Sequence, residues 1–397
     1  MRSILFLFFL PGIFLGCNPK TSQQQLSSNT GNAESVFLTS DHNDNPVVAW
    51  TERQAETLTL FFSIGDANAH FNSEPIQLPL PADVATHAEG MPKVAFKSDG
   101  TIIAAYEKKS PTKENKYAGS IYYVMSNDGG KTWSPESFLH SDTVAGRSRS
   151  YFDIQRLPDG EIGAAWLDIK LEKTTGGRSV RFARTIKSGA FSNEILVDSS
   201  ACQCCRIDVY SDENKDIFIA YRGLQRGPMG KQVRDMMIAT STDHGNSFSN
   251  PLLISADDWF IDGCPHTGPS LCGNKAGLIS LWYTEGTGTG IYYAKKERGD
   301  SFSPRQLVSH NGRHPQLSAN RDQIAMVWEE NMTVNDQTNT TIHFQVLENG
   351  NAIIAGPLTP DKVNSFLPVI AKSGEGFVTA YLGEEKGKVG VYITHLD

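Results

Sequence analysis

Apolar and polar residues alternate along this chain in short runs, and no heptad or longer helical period interrupts them. The pattern predicts strands. One kind of strand recurs, ending in an aromatic that a polar or charged residue follows. Its copies are VVAWTE at Trp50, IIAAYE at Tyr106, IGAAWLD at Trp166, IFIAYR at Tyr221, LISLWYTE at Trp282, IAMVWEE at Trp328 and FVTAYLGE at Tyr381. Several copies follow another short strand and a turn, as in KVAFKSDG before Thr101, DIQRLPDG before Glu161 and DVYSDENKD before Ile217. Asp-Gly between alternating apolar runs is a strong hairpin signal. Most copies precede a variable loop and a third strand, such as SIYYVMS, SVRFART, DMMIATS, GIYYAKK and TIHFQVL. Units of four strands repeating at about 45–60 residues predict the blades of an all-β propeller. Seven starts are present, and the seventh unit stops after its third strand at Leu396. Seven blades are therefore expected, with an N-terminal segment completing the last, and six blades is the alternative.

Two third strands run into a sharper motif, S-x-D-x-G-x-x-[WF]. It is carried by Ser126, Asp128, Gly130 and Trp133, and again by Ser241, Asp243, Gly245 and Phe248. A decayed copy runs through Lys295, Glu297, Gly299 and Phe302, and fainter ones end at Phe71 and Phe191. Ser and Asp side chains bond the backbone of a tight turn, and Gly supplies its left-handed dihedrals. These residues are expected to be structural, so Asp128 and Asp243 are not candidate catalytic acids.

The N-terminus changes the picture of where the molecule sits. After Met-Arg-Ser the chain is apolar from Ile4 to Leu15, too short for a spanning helix, which needs about 20 residues. A basic residue, a short apolar core and a small residue before a cysteine read as a signal peptide. Phe14-Leu15-Gly16-Cys17 resembles a bacterial lipobox, with Phe14 replacing the usual Leu. Residues 1–17 are thus expected to be a lipoprotein signal with Cys17 lipidated, 18–34 a flexible polar tether, and 35–397 one propeller domain. The expected product is exported, monomeric and held to the bacterial envelope, at the outer membrane or periplasmic face, by its lipid alone. A formal net charge of −8 argues against nucleic acid or anionic lipid as the main partner.

Repeat phase converts sequence position into geometry. In a propeller the innermost strand of each blade begins on the face that also carries the loop after the second strand. Site residues are sought there, with the tight turns on the opposite face. Those positions hold His87, Glu89 and Met91; Arg147, Arg149, Tyr151 and Asp153; Cys202, Cys204, Cys205 and Arg206; Asp262, Cys264, His266 and, further along, Cys272; and Arg313, His314 and Pro315. The loops after second strands add Glu107, Asp168, Arg222, Arg234, Glu285, Glu329 and Glu330. The cysteines are the unusual part. Apart from Cys17 there are five, an odd number for an oxidising compartment. Cys202-Gln-Cys204-Cys205 and Cys264-Pro-His266 open adjacent units, so the two groups are expected to be neighbours in space. Three readings stay open: a disulfide between blades, a soft-metal site for copper or zinc, and a reactive thiol pair.

The turn motifs make the chain resemble the sialidase (neuraminidase) superfamily over essentially its whole mature length. That resemblance implies glycan chemistry at the axial face, with an arginine clamp for a carboxylate, a Tyr–Glu nucleophile pair and an Asp acid/base. By blade position Arg147, Arg206, Arg222 and Arg313 are candidate clamp members, and Arg234 a further binding residue. Tyr283 with Glu285 is the candidate nucleophile pair, and Asp153 or Asp168 the acid. The family's F/Y-R-I-P motif is missing before the first turn motif; Arg313-His314-Pro315 matches only R-x-P, after the last one. The chain also resembles bacterial Asp-box lipoproteins combining C-x-C-C with a later Y-R, V-R-D and C-P-x-x-G-P. Here these are Cys202 to Cys205, Tyr221-Arg222, Val233-Arg234-Asp235 and Cys264 to Pro269. That likeness implies one site holding the cysteines and Arg222. The expected ligand is a small molecule, a glycan or a metal ion; an enzyme would be a sialidase-like glycoside hydrolase, and a protein-interaction scaffold is the last alternative.

Overall fold

The structure is a computed structural model, and it describes residues 23–28, 30–171, 176–192, 194–227, 230–275, 277–296, 301–334 and 337–396. Among them seven four-stranded antiparallel sheets form, six in chain order from the inside outward and the seventh completed at its outer edge by an N-terminal strand. The innermost strands are Asn32–Ser40, Lys93–Phe96, Ser150–Arg156, Asp208–Ser211, Ser270–Asn274, Gly312–Asn320 and Asn364–Ser373. Seven apolar clusters occupy the seven interfaces between consecutive blades, the last joining the seventh blade back to the first. A closed ring follows. It is a seven-bladed β-propeller, as the repeat count predicts.

Closure uses the N-terminus. Gln23–Gln25 pairs antiparallel with Lys388–Leu396 as the outer strand of the seventh blade, Gln24 facing Ile393. Ser27 Oγ then accepts the Val391 N–H at 2.8 Å. The expected tether over 18–34 is corrected by this: its second half is sheet and turn, and the first blade begins at Asn32. Polar glutamines gave no periodicity to read, because backbone hydrogen bonds, and not side-chain burial, hold them. The lipobox and Cys17 lie outside the described residues. No helix among those described is long and apolar enough to cross a membrane.

The recurrent aromatics all lie in second strands and are buried. Six of them hand their one polar hydrogen to a carboxylate. Indole N–H groups of Trp50, Trp166, Trp282 and Trp328 donate to Glu52, Asp168, Asp257 and Glu330 at 2.7–2.8 Å. The hydroxyls of Tyr106 and Tyr221 donate to Glu136 and Asp198 at 2.6 Å. Burying a Trp or Tyr costs little once that hydrogen is satisfied, which explains the acid two residues after Trp50, Trp166 and Trp328.

The two S-x-D-x-G-x-x-[WF] stretches make the same bonds. Ser126 Oγ donates to Asp128 Oδ1 and accepts the Gly130 N–H, and Asp128 accepts from the Lys131 and Thr132 amides and the Thr132 hydroxyl. Ser241, Asp243, Gly245, Asn246 and Ser247 repeat the pattern. Gly130 and Gly245 sit at φ of 85° and 82°, and a Cβ would lie 2.5 Å from Ile76 and 2.7 Å from Phe182. The aromatic after each turn packs on the preceding blade: Trp133 on Phe62, Phe248 on Phe182, and likewise Phe191 on Tyr123. Glu297 and Gly299 of the decayed copy lie outside the described residues; Phe302 packs against the interface of the fourth and fifth blades.

Candidate functional site

Innermost strands begin on one face, and several begin with a break in register. The pairing slips between Ser150 and Asp153, between Arg313 and Gln316, and between Phe366 and Val369. Inside those breaks Tyr151, His314 and Leu367 carry positive φ of 56°, 46° and 53°, and His266, ahead of the fifth blade, sits at 48°. Bulges and left-handed non-glycine residues re-aim side chains at a local conformational cost, and they concentrate at sites. Here they turn side chains into the ring mouth.

The cysteines form the centre of that mouth. Residues 202–206 cross from the third blade to the fourth, anchored by the Cys202 N–H on the Arg222 carbonyl at 2.7 Å. Cys202, Cys204 and Cys205 are buried, and their three sulfurs lie within 4.8 Å of one another. Cys202 Sγ is 3.9 Å from both Cys204 Sγ and Cys205 Sγ. Cys204 also belongs to a second triad: its sulfur, Cys264 Sγ and a His266 ring nitrogen lie within 4.8 Å of one another, with Cys264 and His266 exposed. Blade phase therefore brings together the two groups that the sequence places 60 residues apart (Cys204 and Cys264). All five described cysteines are free, and a 3.9 Å separation is not the roughly 2.05 Å of an S–S bond. The interblade bond from this group to Cys264 is likewise not formed in this structure, where Cys264 is free. Cys272 is not in the group: it is buried in the core between the fifth and sixth blades.

Positive charge backs the sulfurs. Arg234 Nη1 donates to Cys202 Sγ at 3.0 Å. Hydrogen bonds from the Cys204 and Cys205 thiols, and then the Arg234 and Arg222 guanidiniums, hold the Cys202 thiol far below its ordinary value. Cys204 moves the other way through its bonds to Cys202 and Cys205, and burial pushes Cys205 up to about 12. Tyr151 packs on the three cysteines, with the His87 ring 5.6 Å away edge-on. Burial, and next Lys109, hold His87 below its usual value, favouring the neutral imidazole.

Below the mouth lies a cavity of about 90 Å³ lined by Glu89, Lys93, Arg206, Asp208 and His314, among others. Four of these five are paired, and Asp208 instead accepts the Leu271 amide. Glu89 accepts from the Arg206 amide at 2.8 Å and guanidinium at 2.7 Å, Lys93 donates to Asp153 at 2.6 Å, and His314 Nδ1 meets Glu329 at 2.9 Å.

The arginine clamp is not assembled. Arg222 is 1 % exposed, stacks 4.6 Å from the Trp259 ring, and gives its Nη hydrogens to the carbonyls of Arg234, Thr267 and Tyr283. Arg206 is committed to Glu89 and the Pro315 carbonyl, and Arg147 to Asp142. As binding residues Arg206 and Arg222 are corrected: both are buried braces, because carbonyls and a carboxylate supply the bonds a ligand would. Asp153 and Asp168 are corrected as acids for the same reason. Asp153 is held by Lys93 and the Val209 amide, Asp168 by Trp166 and its own following amide. Tyr283, Glu285 and Arg313 do come together. The Tyr283 hydroxyl donates to Glu285, and the half-exposed Arg313 lies 4.4 Å from the Tyr283 ring and 3.4 Å from Glu285. Sequence reasoning missed Arg178 and Trp259, which brace the mouth. Arg178 bonds the carbonyls of Ser148, Leu167 and Asp168. Nothing in its strand context, RSVRFAR, separates that arginine from its neighbours.

Fold and site together define a seven-bladed β-propeller with a thiol-rich mouth. Comparison with solved structures places two polysaccharide lyases beside it. One, an ulvan lyase, has a TM-score of 0.55 at 9% identity, over 93% of this chain and 95% of that one. The other also scores 0.55, at 11% identity, over 92% and 90%. A Trypanosoma rangeli sialidase with a bound inhibitor gives 0.44 at 10% identity, over 95% of this chain and 60% of that one. The two lyase likenesses show a shared fold alone. No protein-family model and no curated protein matches the chain.

Proposed function

We propose that this protein binds Cu(I) through the thiolates of Cys202, Cys204 and Cys205, presented at the mouth of a propeller tethered to the bacterial envelope through Cys17. The observation that carries the reading is the convergence of three buried sulfurs beside a guanidinium. Three sulfurs arranged in a plane around one ion with metal–sulfur bonds of about 2.3 Å stand about 4.0 Å apart, and Cys202 stands 3.9 Å from each of the other two. Zinc in structural sites takes four ligands, tetrahedrally, whereas here donors converge in threes. Soft thiolates in a three-donor set suit Cu(I). Arg234 and Arg222 offset the charge that three thiolates would concentrate in a buried place. The test uses full-length protein, reduced and anaerobic, offered equal Cu(I) and Zn²⁺ and then desalted. At least one equivalent of copper is retained in preference to zinc, and Cys202→Ser or Cys205→Ser lowers retention at least tenfold. Sub-stoichiometric copper, with Cys204→Ser leaving binding unchanged, removes the reading.

A second reading rests on a different observation, the Tyr283–Glu285 hydrogen bond under Arg313. A phenol bonded to a carboxylate beside an exposed guanidinium suits a sugar acid, and the neighbouring structures are named as a sialidase and polysaccharide lyases. Turnover of a fluorogenic sialoside, abolished by Tyr283→Phe, supports it; no turnover and no binding on a glycan array contradicts it.

A further inference from the structure

Cys204 is the one donor common to both triads. Its sulfur lies within 4.8 Å of the Cys202 and Cys205 sulfurs on the buried side, and of the Cys264 sulfur and a His266 nitrogen on the exposed side. The five donors do not collapse into one set of four around a single point; they form two sets of three that meet at one atom. We infer that the mouth holds two Cu(I) ions bridged by the Cys204 thiolate, an inner one on Cys202, Cys204 and Cys205 and an outer one on Cys204, Cys264 and His266.

This rests on the Cu(I) reading above and extends it in stoichiometry and order. A thiolate keeps several lone pairs, so one sulfur serves two soft cations. Charge permits the pair. Three inner thiolates, one Cu(I) and the two guanidiniums of Arg222 and Arg234 sum to neutral, and the outer ion adds one positive charge with one new thiolate, Cys264. A second ion therefore leaves the buried charge unchanged, and burying an unbalanced charge is the costly alternative. Backbone conformation gives an independent indication. His266 holds a left-handed φ of 48° just past the exposed Cys264, a conformation that a non-glycine residue adopts at a cost and that sites tend to retain. Burial then sets the order of filling. Cys264 and His266 face solvent and meet an incoming ion first, whereas Cys202 and Cys205 lie behind Cys204. Handing the ion from the outer to the inner triad requires only that it exchange ligands around Cys204, one sulfur at a time, with no change in oxidation state.

The test is a titration of the anaerobic, reduced full chain with Cu(I) against a chromophoric Cu(I) chelator. Copper K-edge absorption spectra are recorded after one and after two equivalents. Two equivalents bind in two steps, the second at least tenfold weaker, and a copper–copper scattering contribution arises only after the second. The double variant Cys264→Ser/His266→Ala keeps one tight equivalent and loses both the second step and the copper–copper signal. Wild-type saturation at one equivalent, or a second step that the double variant leaves intact, overturns the two-ion inference while the Cu(I) reading stands. Failure of wild type to hold copper against the chelator overturns the Cu(I) reading itself.

Discussion

At the residue scale the molecule is governed by how buried polar atoms are satisfied. Arg206 and Glu89 are both about nine-tenths buried or more, and share two hydrogen bonds near the axis. Removing one partner strands the other's charge, so Arg206→Met is expected to destabilise the fold by about 3–5 kcal/mol, read by chemical denaturation. An unchanged stability would show that the pair is dispensable. Glu107 is the converse case. Its Oε2 has no partner, and burial, opposed mainly by Arg178, pushes its carboxyl up to about 7 from 4.5. A folded-state value above the unfolded one means that the folded chain holds the proton more tightly. The stabilisation is full below the unfolded value and is lost as pH rises through about 7. That loss is about 3 kcal/mol between about pH 4.5 and pH 7. Glu107→Gln should flatten that part of the stability–pH curve, and denaturation midpoints at several pH values check it; a variant with the wild-type slope refutes it. The same scale shows where sequence reading stops. Arg222 looked like a ligand-facing arginine because of its position after a second strand. Whether a guanidinium faces a cleft or bonds three carbonyls depends on side-chain direction, and one-dimensional phase does not carry that.

At the element scale the repeat was legible because physics writes it seven times. Each second strand buries an aromatic that must place its N–H or O–H, and for six of the seven an acid takes it, two residues further on at Trp50, Trp166 and Trp328. The other three partners are remote: Trp282 donates to Asp257, 25 residues upstream, Tyr106 to Glu136 and Tyr221 to Asp198, and no local pattern announces them. The strand count called for an N-terminal segment to complete the last blade, but its place at Gln23–Gln25 was illegible, since three exposed glutamines present no apolar face. Its contribution is hydrogen bonding to Lys388–Leu396 and ring closure. Deleting residues 1–28 leaves the seventh blade three-stranded. A lowered melting temperature and earlier proteolytic cleavage in the seventh blade than elsewhere are the expected results. Melting and cleavage indistinguishable from the full chain would show that the ring closes without it.

At the scale of the whole molecule, the ring sets the site. Cys204 and Cys264 are remote in sequence, and only closure in blade order puts the fourth and fifth blades' opening segments side by side. Counting blades from the sequence was enough to anticipate that meeting; the division of the donors into two triads was not, because it depends on which sulfurs point inward. The measurement that bears most directly on the central claim is the copper K-edge spectrum of the reduced full chain carrying one equivalent of Cu(I). The account requires a three-coordinate first shell made of sulfur alone, from Cys202, Cys204 and Cys205. A shell dominated by nitrogen or oxygen, or one left unchanged by Cys205→Ser, would contradict it.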